Sequence, residues 1–236
     1  MKNKIYAIIP ARKGSKRIPD KNKKDFCGKP LVAWTIEAAK GFKLINSIVL
    51  SSDDDETLHL LETKTLIEYR DHRPKELSRD DSSPIELVKY LIKKYKMTPE
   101  DIIIYLQPTS PLRTSEDIKI AYYSFTMFRD CESLISCVRA PNLYYGFTMD
   151  QGYLSPCFHG RWLDKRSQDL PDAFIPNGAI YIIRVKHLLL YESFYTPLTK
   201  PLIMSAYNSV NIDEMEDWIY AEFLMRTRLS KQNGLS

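Results

Sequence analysis

Cysteine is scarce in this chain and carries no pattern. Cys27, Cys131, Cys137 and Cys157 are the only four in 236 residues, with no C-x-x-C pair among them. Neither a zinc site nor a dithiol redox pair is indicated, and reduced packing thiols in the cytoplasm are expected. No segment approaches the roughly 20 apolar residues of a membrane helix. Pro10 and Arg12 interrupt the one apolar run near the N-terminus, which argues against a signal peptide. Charge of one sign is not in excess either: 34 basic against 30 acidic side chains leave +4, so nothing global suggests nucleic acid. Internal repeats and low-complexity linkers are missing. So are the G-x-x-x-x-G-K-[ST] phosphate loop and the G-x-G-x-x-G dinucleotide fingerprint.

What the chain does have is a concentrated basic loop. Ile5 to Ile9 is a short apolar, β-branched run of the kind found in buried parallel strands. Pro10 ends it, having no N–H for the ladder. Seven basic residues follow between Arg12 and Lys24, around Gly14 and Ser15. Such a loop is either a solvated basic turn or an anion cradle, in which backbone N–H groups and cationic side chains converge on phosphate oxygens. Its place after the first strand of an α/β pattern favours the cradle, because such sheets bind ligands beyond the carboxyl ends of their strands.

Further along, the spacing predicts a helix over Leu31 to Phe42 and a strand over Ser47 to Ser52. Asp53-Asp54-Asp55 is a candidate metal cluster, but reads better as a turn and N-cap for a helix through Leu61. A strand from Thr65 to Tyr69, a helix from Pro84 to Lys94 and a strand from Ile102 to Leu106 continue the alternation. A helix from Ser115 to Phe128 and a strand from Ser133 to Val138 complete it, which implies a mostly parallel sheet with helices on both faces. Residues 139 to 176 lack helical period and are rich in turn formers. A strand to Arg184 follows, then a short strand at Ser209 to Asp213, then an amphipathic helix from Glu214 to about Leu229. At 44% hydrophobic residues, one domain spanning residues 1 to 236 with an insertion is expected.

Four motifs carry a resemblance. They are Ile9-Pro10-Ala11-Arg12 through Gly14-Ser15-Lys16, Ile18-Pro19, Lys21-Asn22 and Gly28-Lys29-Pro30; Arg73-Pro74-Lys75-Glu76-Leu77-Ser78-Arg79-Asp80; Gln107 through Arg113; and Gln168-Asp169-Leu170-Pro171 with Asn177-Gly178-Ala179-Ile180-Tyr181. Together they resemble the CMP-N-acylneuraminate synthetases, cytidylyltransferases that activate sialic acids. The resemblance implies a Rossmann-like nucleotidyltransferase fold. It also implies attack of a sugar hydroxyl on the α-phosphate of CTP, with pyrophosphate leaving. Chemistry of this kind needs positioning, neutralised charge and a divalent metal, Mg²⁺ or Mn²⁺.

By the same resemblance, Arg12 and Lys21 serve catalysis and Ala11, Arg12, Ser15, Lys16, Asn22, Arg73, Asp80 and Ser82 meet the nucleotide. Gln107, Arg166, Asn177, Tyr181, Phe194 and Tyr195 fall to the acidic nine-carbon sugar; for the three aromatics, ordinary core packing is the competing reading. Asp213, with Asn211, falls to the metal. The family pattern there is D-x-D, so Asn211 removes one negative charge; the rival role for Asp213 is a helix N-cap. Residues 139 to 176 become a protruding dimerisation element, making the protein a homodimer. Ser167 stands where many members have a second Arg, and Pro141 to Tyr145 lacks a common His and Lys. Both departures concern the sugar, so a legionaminic, pseudaminic or Kdo-like acid stays open beside sialic acid. A catalytically impaired nucleotide-binding protein is the reading from another class.

Overall fold

A computed structural model describes residues 3–60, 68–232 and 234. Its centre is a seven-stranded sheet in the order β11-β7-β10-β6-β1-β4-β5. These are β1 (Ile5–Pro10), β4 (Ser47–Ser52), β5 (Tyr69–His72), β6 (Ile102–Tyr105), β7 (Ser133–Arg139), β10 (Phe174–Arg184) and β11 (Thr199–Ile203). All neighbouring pairs are parallel except those of β10, which runs antiparallel to both β6 and β7. Two small ribbons stand outside it: β2 (Asp25–Phe26) with β3 (Lys29–Pro30), and β8 (Phe147–Asp150) with β9 (Tyr153–Pro156).

Side chains of β1 alternate between two cores, as a strand buried on both faces must. Ile5, Ala7 and Ile9 join a cluster with α1 (Leu31–Gly41) and α4 (Ser115–Met127), to which α2 (Asp55–His59) adds Leu58. Tyr6 and Ile8 join the opposite cluster with α3 (Pro84–Lys94) and α5 (Val185–Tyr191). Both α3 and α4 start on full capping boxes, Ser83 with Glu86 and Thr114 with Asp117, so local chemistry fixes where each helix begins.

A third cluster matters most for the site. The helix α6 (Met215–Gln232) buries Trp218, Ala221, Leu224 and Met225 against Ile18, Leu112 and Ile212. Those three apolar residues come from three loops far apart in sequence: the basic loop, the Gln107–Arg113 loop and the loop before α6. Their burial holds the loops together at one end of the sheet.

Several boundaries differ from the sequence reading. Residues 65–67 and Leu61 lie outside the described residues; the strand found there, β5, runs instead from Tyr69 to His72 and carries a fully buried Asp71. Ser209 to Asp213 is not a strand. Tyr207–Ser209 is a single 3-10 turn, and the Ile212 N–H goes to the Thr109 carbonyl (2.7 Å). Its alternating pattern arises because Ile212 is buried under α6 between two polar neighbours, not from a ladder. The strand at that sheet edge is β11, whose Lys200 and Pro201 disguise it; proline is tolerated on an edge strand. The short α5 also gave no periodic signal.

Candidate nucleotide and sugar cleft

The carboxyl ends of β1, β5 and β6 open into a cleft of about 770 Å³, within the size range of small-molecule sites. It is lined by Arg12, Ser15, Lys16, Lys21, Asn22, Arg73, Asp80, Ser82, Gln107, Asn211 and Asp213. Residues from four separate stretches of the chain therefore line one cleft. The lining also includes Arg17, Arg79 and Tyr105. The first two were legible as cations beside the motifs, whereas Tyr105 read only as part of a buried strand.

The basic loop is pinned from several sides. Ala11 is buried and donates its N–H to the Ser51 carbonyl (2.8 Å); it does not line the cleft. The Asn22 amide donates to the Arg12 carbonyl (2.9 Å). Asp53 and Asp54 form the bend before α2 and Asp55 opens the helix, but no carboxylate caps the helix backbone. Instead Asp53 accepts the Lys13 N–H, and Asp54 accepts from the Thr57 hydroxyl while facing Lys13 and Lys23. These carboxylates brace the basic loop.

Asp80 bridges Arg12 and Lys16, its two oxygens taking one cation each. Those hydrogen bonds hold its carboxyl below the usual range. One carboxylate thus occupies the cations that the sequence assigns to phosphate. Lys21 donates to the Ile212 carbonyl (2.8 Å), tying the basic loop to the Asn211–Asp213 loop. Burial lowers the Lys21 pKa, and the nearby Asp213 opposes that shift.

The backbone of the Asn211–Asp213 loop is held from inside α6. Asp217 accepts the N–H groups of both Asp213 and Glu214 (2.9 Å each), so the Asp213 carboxylate is left to the cleft. Asn211 Nδ2 donates to Asp213 Oδ2 (2.8 Å), while Asn211 Oδ1 is buried without a hydrogen-bond partner among the described residues. An exposed carboxylate beside an orphaned amide oxygen fits a hard divalent cation, which takes oxygen donors and completes its shell with substrate phosphates and water.

The residues expected to hold the sugar divide. Gln107 reaches the cleft, and Gly178 makes room for it: a Cβ on Gly178 would stand 2.6 Å from Gln107 Oε1, and its φ of +75° disfavours side chains in any case. Tyr181 and Phe194 do not line the cleft. They pack behind it on Tyr105, with ring centroids 6.2 and 5.2 Å away, and Phe194 is a core residue. Tyr195 is exposed and hydrogen-bonded to Tyr181. Asn177 is buried and bonded to Ser136, Ser209 and the Ala179 N–H, so it organises the β10 bulge. Arg166 lies in the insertion, exposed and paired with Asp169 (2.8 Å). Arg113 was not singled out: its buried guanidinium donates to the Gln107 and Ala179 carbonyls, and burial lowers its pKa to about 10.

A mostly parallel sheet with a polar, cation-rich cleft at its carboxyl edge defines a nucleotide-handling α/β protein. The chain belongs to the cytidylyltransferase family, whose sequence pattern it matches over residues 6–126. It is 32% identical to the CMP-N,N'-diacetyllegionaminic acid synthase of Legionella pneumophila, over 94% of this chain and 96% of that protein. To the pseudaminic acid cytidylyltransferase of Campylobacter jejuni it is 31% identical, over 96% and 97%. Identity to the N-acylneuraminate cytidylyltransferase of Escherichia coli is 30% over 92% of the chain, which spans about half (51%) of that longer protein. Among solved structures, the CMP:2-keto-3-deoxy-manno-octonic acid synthetase complexed with CTP superposes with a TM-score of 0.70 at 16% identity, covering 96% of this chain and 100% of the other. At that identity the likeness speaks for the fold.

Proposed function

We propose that the protein is a cytidylyltransferase that joins CTP to an acidic nine-carbon nonulosonic acid, giving the CMP-sugar and pyrophosphate. The observation that carries this reading is the convergence of Arg12, Ser15, Lys16, Lys21, Asn22, Arg73, Gln107 and Asp213 on one cleft. Legionaminic and pseudaminic acids stand beside sialic acid as the sugar, because relatives named for them match along almost their whole length.

In the reaction a sugar hydroxyl oxygen bonds to the α-phosphorus and gives up its proton to solvent, the bond from that phosphorus to the bridging oxygen breaks, and pyrophosphate departs. Arg12 and Lys16 exchange Asp80 for triphosphate oxygens, neutralising charge that grows on the leaving group. Lys21, fixed by the Ile212 carbonyl, adds a third cation where the basic loop meets the Asp213 loop. Gln107 offers an amide to the sugar. Asp213 with Asn211 would hold Mg²⁺, which supplies Lewis-acid polarisation of the phosphate oxygens. The hairpin β8–β9, with Met149, Tyr153 and Leu154 exposed, serves as the contact surface of a homodimer.

The test is pyrophosphate release from each of CTP, UTP, GTP and ATP against a panel of sialic, legionaminic, pseudaminic and Kdo-type acids. CTP is expected to outperform the others at least tenfold with one nonulosonic acid. Equal turnover of UTP sinks the nucleotide assignment, and CTP binding without turnover of any sugar favours a non-catalytic binding protein.

A further inference from the structure

The cleft rests on a buried polar relay that no motif announced. Ser51, at the end of β4, is wholly buried and bonds in several directions. Its carbonyl accepts from the Ala11 N–H (2.8 Å) and from Arg73 Nη2 (2.9 Å). Its hydroxyl accepts from Arg73 Nε (3.2 Å) and donates to Asp71 Oδ2 (2.7 Å). Asp71, also fully buried, takes Lys94 Nζ on its other oxygen (2.6 Å), with the hydroxyls of Tyr95 and Tyr90 at 3.4 and 3.5 Å. A buried carboxylate persists only when it is paired and hydrogen-bonded, and Lys94 with Ser51 meets that need.

We infer that Ser51 and Asp71 are positioning residues that hold the Arg73 guanidinium edge-on to the cleft for an oxygen of the nucleotide. The inference rests on the proposed CTP-dependent reading. Two of the three guanidinium nitrogens are spent on Ser51, and Nη1 makes no hydrogen bond among the described residues. A planar guanidinium gripped along one edge can donate from the other in one orientation only. Without the Ser51 hydroxyl, Nε loses its acceptor and Asp71 loses a donor, and the guanidinium, left on the single Nη2 bond to the Ser51 carbonyl, can pivot about it. The same serine carbonyl anchors Ala11, so one residue sets both the arginine and the start of the basic loop.

A double-mutant cycle on the full chain tests this, reading CTP affinity by calorimetry in Mg²⁺ without sugar, together with KM and kcat. Arg73→Ala is expected to weaken CTP at least tenfold, and Ser51→Ala and Asp71→Asn three- to tenfold each. KM for CTP should rise while kcat at saturation stays within threefold. Because Ser51 acts through Arg73, the double variant Ser51→Ala/Arg73→Ala should bind CTP within twofold of Arg73→Ala alone. Ser51→Thr, which keeps the hydroxyl, should recover most of the affinity. Multiplicative losses in the double variant overturn the relay, as do Ser51→Ala and Asp71→Asn proteins that bind like the wild type. A wild type that binds no CTP overturns the proposed function itself, an outcome distinct from a failed cycle.

Discussion

At the scale of single residues, the chemistry turns on which carboxylate does what. The Asp213 carboxylate accepts from Asn211 Nδ2 and from no backbone N–H among the described residues, so its loss should touch the reaction more than the fold. Asp213→Ala is expected to abolish Mg²⁺-dependent turnover with little change in melting temperature; an active variant with unaltered metal dependence would remove Asp213 from the site. Asn211→Asp places a second negative charge next to Asp213 and should lower the Mg²⁺ concentration for half-maximal rate, since a charge attracts a divalent ion more than an amide dipole does. A Mg²⁺ titration of both variants decides it. Asp80 presents the opposite case. It sits on the cations proposed to meet the triphosphate, so Asp80→Asn should strengthen inhibition by free pyrophosphate severalfold. Unchanged inhibition would mean the bridge exerts no competition. Arg12→Ala removes a charged hydrogen bond worth about 1.5–3 kcal/mol, and kcat/KM should fall roughly ten- to a hundredfold.

At the scale of elements, two junctions hold the cleft in register. The first is the start of α6, where one carboxylate satisfies two backbone donors. Asp217→Ala should cost about 1 kcal/mol of unfolding free energy, the usual worth of a helix N-terminal cap, measurable by urea denaturation. A silent Asp217→Ala would mean that the Asp213 and Glu214 N–H groups are served equally well by water. The second is the bulge in β10 at Pro176–Tyr181, where the register with β7 shifts. Gly178 stands there at positive φ against Gln107. Gly178→Ala combines a backbone cost of about 1–3 kcal/mol with a push on the Gln107 amide. KM for the sugar should rise at least tenfold while KM for CTP stays put; the reverse split would place Gln107 on the nucleotide.

At the scale of the whole molecule, the hairpin β8–β9 projects from the sheet with every residue exposed. Its turn, Gln151-Gly152, has both residues at positive φ, the geometry that suits a two-residue hairpin. Apolar side chains on so small a ribbon gain nothing in a monomer. Met149→Asp with Tyr153→Asp is expected to convert a dimer to a monomer in analytical ultracentrifugation, leaving the melting behaviour of the main sheet intact. A wild type that sediments as a monomer would end the dimer proposal.

Most of the architecture was written in the sequence, because β1, β4 and β6 are continuous apolar runs and α3 and α4 announce themselves by capping boxes. That Arg12, Lys16, Lys21, Arg73 and Asp80 belong together was legible too, since they lie in contiguous motifs, and all of them line the cleft. What local sequence could not supply was anything decided by packing between distant segments. Val210-Asn211-Ile212-Asp213 alternates like a strand, yet burial of Ile212 under α6 makes it a loop. Tyr181 and Phe194 carry the composition of a pocket wall, but the space they fill lies behind Tyr105. Asp71 carried no signal in the sequence and is fully buried, because Ser51 and Lys94, 20 and 23 residues away, reach it only once β4, β5 and α3 have packed. Hydrophobic period and turn chemistry are local and were read from the chain; the partner of a buried polar group is not local, and only the fold chose it.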